Sequence, residues 1–379
     1  MTTHPTVAEH VLFTPPSGEG SKGTSYTRVV RLQHPGPAQG RLLASFEYFP
    51  SRALPIYESL DDGRTWSPEP IAVVRDTQRP EWGLRYQPHL YELPADAGDL
   101  PAGTLLLAGN SFPDDLSAFE LQLYVSFDAG RSWTFRSALA NGPAADAPVW
   151  EPNLLLLPGG ELVAYYADET HKAEGFNQLI GHKVSRDGGL TWEAQVYDIA
   201  HPTFTQRPGM PVVVPLPDGT YVMGYEALIV QDDGSTYAPM RVKFSNDGLN
   251  WDDPAEPGLP VHTADGLWLD STPYLGWSPA GGPNGTLIAT AMHTYDHAGT
   301  KRPHVLMINR DDGRGPWEAL PSPVQFRPGG HLQAGWSQAV LASPEGRHVL
   351  HLASSDLGNG VNEIRYATAP LPDPAQAVL

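Results

Sequence analysis

The sequence of 379 residues contains no cysteine and no long apolar run. The first absence excludes disulfide bonds and thiolate metal sites. No apolar run approaches the roughly 18 residues that a membrane-spanning helix requires. Met1 to His4 also lack the basic and apolar segments of a signal peptide. The sequence therefore predicts a cytoplasmic chain with no membrane partner.

Basic residues are scarce, because 24 Lys and Arg stand against 43 Asp and Glu, which gives a formal net charge of -19. Binding to nucleic acids or to anionic membranes depends on Lys and Arg contacts with phosphates. The charge balance thus argues against a nucleic acid as a binding partner and favours a neutral substrate. Apolar residues, 40% of the chain, are spread evenly with no linker between them. We therefore predict a single domain over residues 1–379.

A short motif of the form Ser-x-Asp-x-Gly-x-x-Trp, the Asp-box, recurs along the chain. Five copies, of which the fourth is one residue short and the fifth is looser, consist of Ser59, Asp61, Gly63 and Trp66; Ser126, Asp128, Gly130 and Trp133; Ser185, Asp187, Gly189 and Trp192; Ser245, Asp247, Gly248 and Trp251; and Asn309, Asp311, Gly313 and Trp317. Their spacing of roughly 60 residues is typical of radial β-repeats. Each box predicts a hairpin turn. In this turn the Asp carboxylate accepts hydrogen bonds from backbone amides, Gly takes a positive φ and Trp packs between repeats.

A second repeat gives the number of units. An apolar run, a turn with Gly or Pro, and another apolar run recur six times, over Tyr26 to Tyr48, Pro88 to Ala108, Pro152 to Tyr166, Pro211 to Tyr225, Pro273 to His293 and Gln338 to Ser354. Short strands separated by Gly and Pro indicate an all-β chain. We predict a six-bladed β-propeller whose last blade is closed by an N-terminal strand, Glu9 to Phe13, beside Glu363 to Ala367.

The hairpins of these repeats predict one polar rim, because the start of a first strand and the end of a second strand lie at the same edge. The first strands deliver Tyr26, Arg85, Glu151, Arg207, Asp270 and Trp336, and the second strands deliver Glu47, Asn110, Tyr166 with Asp168, Glu226, His293, and Ser355 with Asp356. A concave rim with several titratable groups is the usual place for chemistry. We therefore predict the active site at this rim.

Two rim carboxylates, Glu151 and Glu226, suit glycoside hydrolysis, which commonly needs a proton donor and a second carboxylate at the anomeric carbon. They come from successive repeats, and closeness would push their pKa values apart. Each could instead form an ion pair with Arg85 or Arg207. His293 is isolated, and no spacing of metal ligands occurs, so the sequence predicts neither metal nor cofactor.

Several runs resemble glycoside hydrolase family 93. They are Leu84 to Pro88, Tyr91 to Pro94, Gly103 to Ser111, Val149 to Pro152, Arg207 to Pro211 and Met223 to Glu226. The resemblance implies a six-bladed propeller that acts as an exo-α-1,5-L-arabinanase with retention of configuration. It also implies Glu151 as acid/base and Glu226 as nucleophile. The chain departs from this family at Asn153, where an aromatic residue is usual, and around Trp336. These departures leave a related neutral glycoside open as the substrate.

The remaining rim residues are predicted to bind the substrate. Arg85, Arg207 and Asp270 would position hydroxyl groups, Tyr166 and Trp336 would offer ring faces to a sugar, and Asn110, Asp168 and His293 complete the predicted set. The carbohydrate is the only predicted partner.

Two other functions stay open. A sialidase would hold a sugar carboxylate with three Arg side chains, here Arg85 and Arg207 with Arg302 or Arg365. However, Tyr26 to Arg28 stand where sialidases carry an Arg-Ile-Pro segment. A non-catalytic carbohydrate-binding propeller is the second alternative. The pair of carboxylates counts against it.

Overall fold

The computed structural model describes residues 7–16, 23–329 and 334–372. Met1 to His4, on which the predicted localisation depends, lie outside the described residues. Two one-turn 3-10 helices, Phe49–Ser51 and Lys172–Glu174, accompany the strands. In the part of the chain that the structure describes, no helix is long and apolar enough to span a membrane.

All other regular elements in these ranges are β-strands, and the chain is all-β as predicted. In chain order they are β1 His10–Phe13, β2 Thr24–Arg31, β3 Leu42–Tyr48, β4 Ala53–Ser59, β5 Ala72–Arg75, β6 Gly83–Glu92, β7 Leu105–Phe112, β8 Phe119–Ser126, β9 Thr134–Gly142, β10 Val149–Leu156, β11 Leu162–Asp168, β12 Leu179–Ser185, β13 Val196–Ile199, β14 Gln206–Pro215, β15 Tyr221–Val230, β16 Thr236–Tyr237, β17 Met240–Ser245, β18 Leu259–Pro260, β19 Trp268–Asp270, β20 Tyr274–Ser278, β21 Thr286–Thr290, β22 His293–Tyr295, β23 Lys301–Arg302, β24 Val305–Asn309, β25 Glu318–Pro321, β26 Ala339–Ala342, β27 His348–Asp356 and β28 Asn362–Pro370.

The strands form small antiparallel sheets, most of them from neighbours in sequence. Sheet one is β2-β3-β4-β5, sheet two β6-β7-β8-β9, sheet three β10-β11-β12-β13, sheet four β14-β15-β17-β18 with β16 on β15, sheet five β20-β21-β24-β25 and sheet six β26-β27-β28-β1. A further three-stranded sheet, β19-β22-β23, extends the first hairpin of sheet five, since β19 directly precedes β20 and β22 directly follows β21.

The N-terminal strand β1 completes sheet six. His10 lies opposite Tyr366 and Val11 opposite Arg365, which confirms the predicted pairing with Glu363 to Ala367. Glu9 supports the pairing with an ion pair to Arg365 at 3.2 Å.

The Asp-box segments form the predicted turns. In the first copy, the Gly63 N–H donates to Ser59 Oγ at 2.9 Å, and the Thr65 N–H donates to Asp61 Oδ1 at 2.8 Å. Gly63 has a φ of +81°, and a Cβ there would clash with Leu350 of sheet six. The copies at Ser126 and Ser185 repeat both hydrogen bonds. The turn therefore needs Gly for its backbone angle and for close contact with the neighbouring sheet.

The Trp residues of the boxes pack against the preceding sheet. Trp251 contacts Tyr165 of sheet three edge to face, with ring centroids 5.9 Å apart. The Trp192 indole N–H donates to Ser137 Oγ of sheet two at 3.1 Å. Trp66 of sheet one lies against Tyr366 of sheet six, at 6.2 Å. The apolar core accordingly lies between sheets.

In each of the six numbered sheets, the first strand carries a non-glycine residue with a positive φ or begins two residues after one. These residues are Tyr26, Gln87, Glu151, Met210, Thr272 and Ser337, with φ between +45° and +64°. In the first four sheets, the strand register shifts around the same residue, which marks a β-bulge. Bulges redirect side chains and are over-represented next to active sites.

These positions correct the predicted register of the rim. The sequence repeat aligned Arg85, Arg207, Asp270 and Trp336 with Glu151. The structure instead aligns Gln87, Met210, Thr272 and Ser337 with Glu151. The error spans one to three residues, because the apolar runs do not show at which residue the regular pairing of a strand begins or is interrupted.

Candidate active site

Two buried carboxylates, Glu151 of sheet three and Glu226 of sheet four, lie side by side. Their residues are 7% and 6% exposed. Gly209 pairs with Glu226, and a Cβ on Gly209 would lie 3.0 Å from Glu151 Oε2 and 3.5 Å from Glu226 Oε1. The two oxygens are therefore at most about 6.5 Å apart (3.0 Å and 3.5 Å end to end), close enough to act on one glycosidic bond. A Cβ on Gly209 would also lie 2.7 Å from Nε2 of Gln178, so the absence of a side chain there leaves room for this amide beside the pair.

Each of these carboxylates accepts a backbone N–H from the next sheet. The Met210 N–H donates to Glu151 Oε2 at 2.5 Å, and the Thr272 N–H donates to Glu226 Oε2 at 2.8 Å. Within the described ranges, Oε1 of each carboxylate has no hydrogen-bond partner. In each carboxylate, a backbone N–H therefore holds Oε2 in place, and Oε1 can still accept or donate a hydrogen bond to a bound molecule.

The pKa values of the pair suit one proton donor and one charged group. Burial first, and then the charge of Glu226, raise the pKa of Glu151 to about 8, although Arg207 and the Met210 N–H oppose the rise. Burial also raises the pKa of Glu226, but the Thr272 N–H and Arg207 oppose this rise. Near neutral pH, Glu151 therefore holds its proton, and Glu226 is the member of the pair that ionises first, because its charge raises the pKa of Glu151. This is the protonation state of a general acid beside a nucleophile.

Arg207 places a positive charge near both carboxylates while its guanidinium binds a third. Its Nη2 lies 2.7 Å from Oε1 of Glu169. Glu169 also accepts the Trp150 indole N–H at 3.1 Å and pairs with Lys172 at 2.7 Å. Arg207 therefore lies near the pair, as predicted, and Glu169 fixes its orientation. Glu169 escaped prediction because it follows the end of β11, one residue beyond the predicted rim.

A series of hydrogen bonds links all six sheets at the positive-φ residues. The backbone N–H of each donates to an acceptor on the preceding sheet: Tyr26 to the Trp336 carbonyl (2.9 Å), Gln87 to Glu47 (2.9 Å), Glu151 to Gln87 (2.9 Å), Met210 to Glu151 (2.5 Å), Thr272 to Glu226 (2.8 Å) and Ser337 to Thr272 (3.2 Å). The series runs from sheet one to sheet six and returns to sheet one. Both members of the carboxylate pair are acceptors in it.

Asp270, His293 and Trp336 lie near this series. Asp270 contributes to the raised pKa of Glu226, and its Oδ1 accepts the Ala238 N–H at 2.6 Å. His293 lies opposite Asp270 in the ladder, and its buried Nδ1 has no partner in the described residues. Trp336 is half-buried and supplies the carbonyl that holds Tyr26. Of these three residues, Asp270 is the one whose charge acts on the pKa of Glu226.

Arg85 and Asn110 form their contacts with groups other than the two carboxylates. Arg85 is 2% exposed, pairs with Asp114 at 2.9 Å and packs against Phe112 at 5.2 Å. Asn110 is fully buried and donates to the Val149 carbonyl at 2.7 Å. Neither predicted substrate contact is therefore available in this structure, because Arg85 stands two residues before the bulge and Asn110 supports the backbone.

Tyr166 and Asp168 also face away from the pair, for a different reason. Ala167 lies opposite Trp150 in the ladder, as Glu226 lies opposite Gly209. Side chains alternate along a strand, so the two neighbours of Ala167 point to the other side of the sheet. Tyr166 packs in the core against sheet two, and Asp168 accepts the Thr170 N–H at 2.7 Å. The predicted stacking of a sugar on Tyr166 is incompatible with this burial.

Three further buried polar residues surround the pair and its hydrogen-bonded neighbours. Tyr26 and Glu47 were placed on the predicted rim without a role of their own, whereas Gln178 was not predicted. Glu47 accepts the Ser25 hydroxyl at 2.5 Å, and burial raises its pKa to about 7. Burial also raises the pKa of Tyr26, where the Arg28 charge opposes the rise and Glu151 adds to it. Gln178 donates to the Pro208 carbonyl at 2.7 Å beside Gly209, and its buried Oε1 has no partner in the described residues.

Comparison with known proteins relates this site to solved structures. No protein-family profile matches the chain, and no curated protein matches its sequence. The alpha-L-arabinanase of Penicillium chrysogenum complexed with arabinobiose is 35% identical, with 97% of this chain and 99% of that chain covered and a TM-score of 0.82. The GH93 alpha-L-arabinofuranosidase of Fusarium graminearum with arabinobiose is 28% identical, with 96% and 97% covered and a TM-score of 0.82. A Hadza microbial sialidase, 14% identical over 93% of this chain and 66% of that chain, shares the fold alone at a TM-score of 0.59.

Proposed function

The chain belongs to glycoside hydrolase family 93, and we propose that it releases products from one end of α-1,5-linked arabino-oligosaccharides with retention of configuration. That it is a glycoside hydrolase follows from the similarity over nearly its whole length. The observation that carries the proposed mechanism is the buried carboxylate pair, Glu151 and Glu226, at most about 6.5 Å apart.

In the proposed mechanism, Glu226 attacks the anomeric carbon while Glu151 protonates the departing glycosidic oxygen. A glycosyl ester on Glu226 and a free alcohol result. Glu151, now a carboxylate, then removes a proton from water, which attacks the same carbon and releases Glu226. Carboxylates of retaining enzymes lie about 5–5.5 Å apart, and those of inverting enzymes about 6.5–9.5 Å. The distance between Glu151 Oε2 and Glu226 Oε1 does not exceed the lower limit for inverting enzymes, which favours retention.

The proposed substrate is supported by the comparisons and by the charge of the site. The Penicillium and Fusarium enzymes are both described with arabinobiose. A site with several carboxylates and with Arg207 bound to Glu169 suits a neutral sugar better than an acidic one. The arabinofuranosyl ring would bind against Oε1 of Glu151 and Oε1 of Glu226, because Oε2 of each carboxylate accepts a backbone N–H.

We also propose that the six sheets are the blades of one propeller over residues 1–379. Each box Trp described above contacts the preceding sheet, and Trp66 of sheet one contacts sheet six. The hydrogen bonds at the positive-φ residues return from sheet six to sheet one through Tyr26. In this arrangement the pair faces the central channel from two adjacent blades.

The contacts of the Arg residues weigh against a sialidase. Arg302 pairs with Asp296, Arg365 with Glu9 and Glu363, and Arg85 with Asp114. Arg207 is the one predicted member of an arginine cluster near the carboxylate pair.

A substrate panel tests the proposed function. We expect the enzyme to shorten linear α-1,5-arabino-oligosaccharides and leave sialyllactose intact. Proton NMR at early times should detect the α-anomer of the released sugar before mutarotation. Release of sialic acid, or a β-anomer as the first product, would contradict the proposal.

The pH dependence of kcat/KM should be bell-shaped. Activity requires ionised Glu226 and protonated Glu151. As pH rises through about 8, the pKa of Glu151, the acid loses its proton and activity falls. As pH decreases, Glu226 gains a proton, and its raised pKa places this loss above the usual range of a carboxylate. Initial rates between pH 4 and pH 10, with stability checked at each pH, measure both limbs. A flat profile through pH 9 would exclude Glu151 as the acid.

A further inference from the structure

We propose that Gln87 is a positioning residue for Glu151, an inference that rests on the acid/base role proposed above. Glu151 has a left-handed backbone with φ of +64°. Its N–H donates to Gln87 Oε1 at 2.9 Å, and both residues are buried. Gln87 itself belongs to sheet two, so the acid of sheet three is held by its neighbour.

The backbone of Glu151 needs this acceptor because its N–H lies at the bulge. The ladder between β10 and β11 loses register between Trp150 and Asn153, so Glu151 has no partner across the hairpin. A buried N–H without a partner is unfavourable, and a left-handed non-glycine residue persists only where its surroundings enforce it. The side-chain oxygen of Gln87 satisfies this N–H in the left-handed conformation.

Gln87 is in turn held from the other side. Its own N–H donates to Glu47 Oε1 at 2.9 Å, and Glu47 Oε2 accepts the Ser25 hydroxyl at 2.5 Å. Asn110, also on sheet two, donates to the Val149 carbonyl at 2.7 Å, two residues before Glu151. Two amide side chains of sheet two thus hold the segment 149–151 at both ends.

This support determines where the Glu151 carboxyl points. The bulge directs the side chain so that Oε2 meets the Met210 N–H, which leaves Oε1 for the leaving-group oxygen. A general acid must lie within hydrogen-bond reach of that oxygen, and a misplacement of about 1 Å can lower the rate about 100-fold. Loss of the Gln87 acceptor should therefore impair protonation more than it impairs attack by Glu226.

The test compares substrates that differ in their need for an acid. Gln87→Met keeps the length of the side chain and removes the acceptor. On α-1,5-arabinotriose we expect kcat/KM to fall about 100-fold. On 2,4-dinitrophenyl α-L-arabinofuranoside, whose leaving group departs without protonation, the fall should stay below about 5-fold. The basic limb of the pH profile should also move to lower pH, because a loosened Glu151 is better hydrated.

A matched control removes a buried glutamine elsewhere in the same sheet. Gln122 of β8 is fully buried and bonds to Asp76, Glu120 and Tyr124, none of which contacts the pair. Gln122→Met should lower Tm but keep the ratio of activities on the two substrates. An equal loss on both substrates in Gln87→Met, or no loss on either, would overturn the proposal.

A second variant keeps the test decisive if Gln87→Met does not fold. Gln87→Glu retains an oxygen acceptor at the same position, so activity on arabinotriose should stay within about 10-fold of the parent enzyme. Its negative charge should move the basic limb to higher pH. An unchanged profile would contradict the inference. If Glu151→Ala keeps full activity on arabinotriose, the proposed function itself fails, irrespective of the Gln87 result.

Discussion

Replacing Glu226 by glutamine is expected to lower kcat on α-1,5-arabinotriose by at least about four orders of magnitude, since nucleophile removal typically costs this much. The amide has the size of the carboxylate and its oxygen can still accept the Thr272 N–H, now 2.8 Å away. The variant should therefore fold with a Tm close to that of the parent. What it loses is the charged oxygen that forms the glycosyl bond.

Glu47 offers a matched control for this substitution. It lies opposite Ser25 in sheet one as Glu226 lies opposite Gly209 in sheet four, and each accepts an N–H from the next sheet. Glu47→Gln makes the same chemical change at the equivalent position. We expect a loss of less than about 10-fold, through its effect on Gln87 alone. Activity above about 1% in Glu226→Gln would exclude Glu226 as the nucleophile.

Replacing Glu151 by alanine is expected to lower kcat/KM on arabinotriose about 10²- to 10⁴-fold, the usual contribution of a general acid. The first step on 2,4-dinitrophenyl α-L-arabinofuranoside should stay fast, because that leaving group needs no proton. The second step should become slow, because no base activates water. A burst of dinitrophenol followed by a slow steady state is the expected time course.

Rescue by azide distinguishes the loss of the acid/base in Glu151→Ala from a general loss of structure. A small anion can enter the space left by the Glu151 side chain and attack without base catalysis. Azide should therefore accelerate the steady state of Glu151→Ala and form an α-arabinofuranosyl azide, and it should leave Glu226→Gln unaffected. The absence of both burst and acceleration would assign Glu151 a different role.

The all-β fold and its turns follow from local sequence chemistry. An Asp-box contains its own acceptors, its positive-φ Gly and its Trp, so the turn at Ser59 to Trp66 is readable without long-range information. Glu151 and Glu226 were predictable for a similar reason. Both are carboxylates at the ends of apolar runs, where a hairpin exposes its edge.

The alignment of one repeat with another was harder to predict from the sequence, because bulges interrupt strand pairing at positions that the apolar runs do not mark. Arg85 and Arg207 were therefore aligned with Glu151, although Gln87 and Met210 occupy the equivalent places. The sequence does contain a signal for the correct register. In four repeats the positive-φ residue directly precedes a proline, as in the pairs that end at Pro88, Pro152, Pro211 and Pro273.

The direction of each side chain is the second quantity that spacing left undetermined. Tyr166 and Asp168 flank the strand position that faces the pair, and that position holds the small Ala167. A one-residue difference in a strand reverses the face, so the two conspicuous residues point to the core or to a turn. The supporting residues Gln87 and Glu169 carry no motif of their own. Their roles depend on contacts between sheets.

The central claim is that Glu151 and Glu226 share one sugar as acid/base and nucleophile. Mass spectrometry of Glu151→Ala, quenched in acid during the slow phase with the dinitrophenyl substrate, tests it most directly. We predict one added arabinofuranosyl group per chain, located by peptide mapping on Glu226. A label on any other residue, or a burst with no label, would contradict the claim.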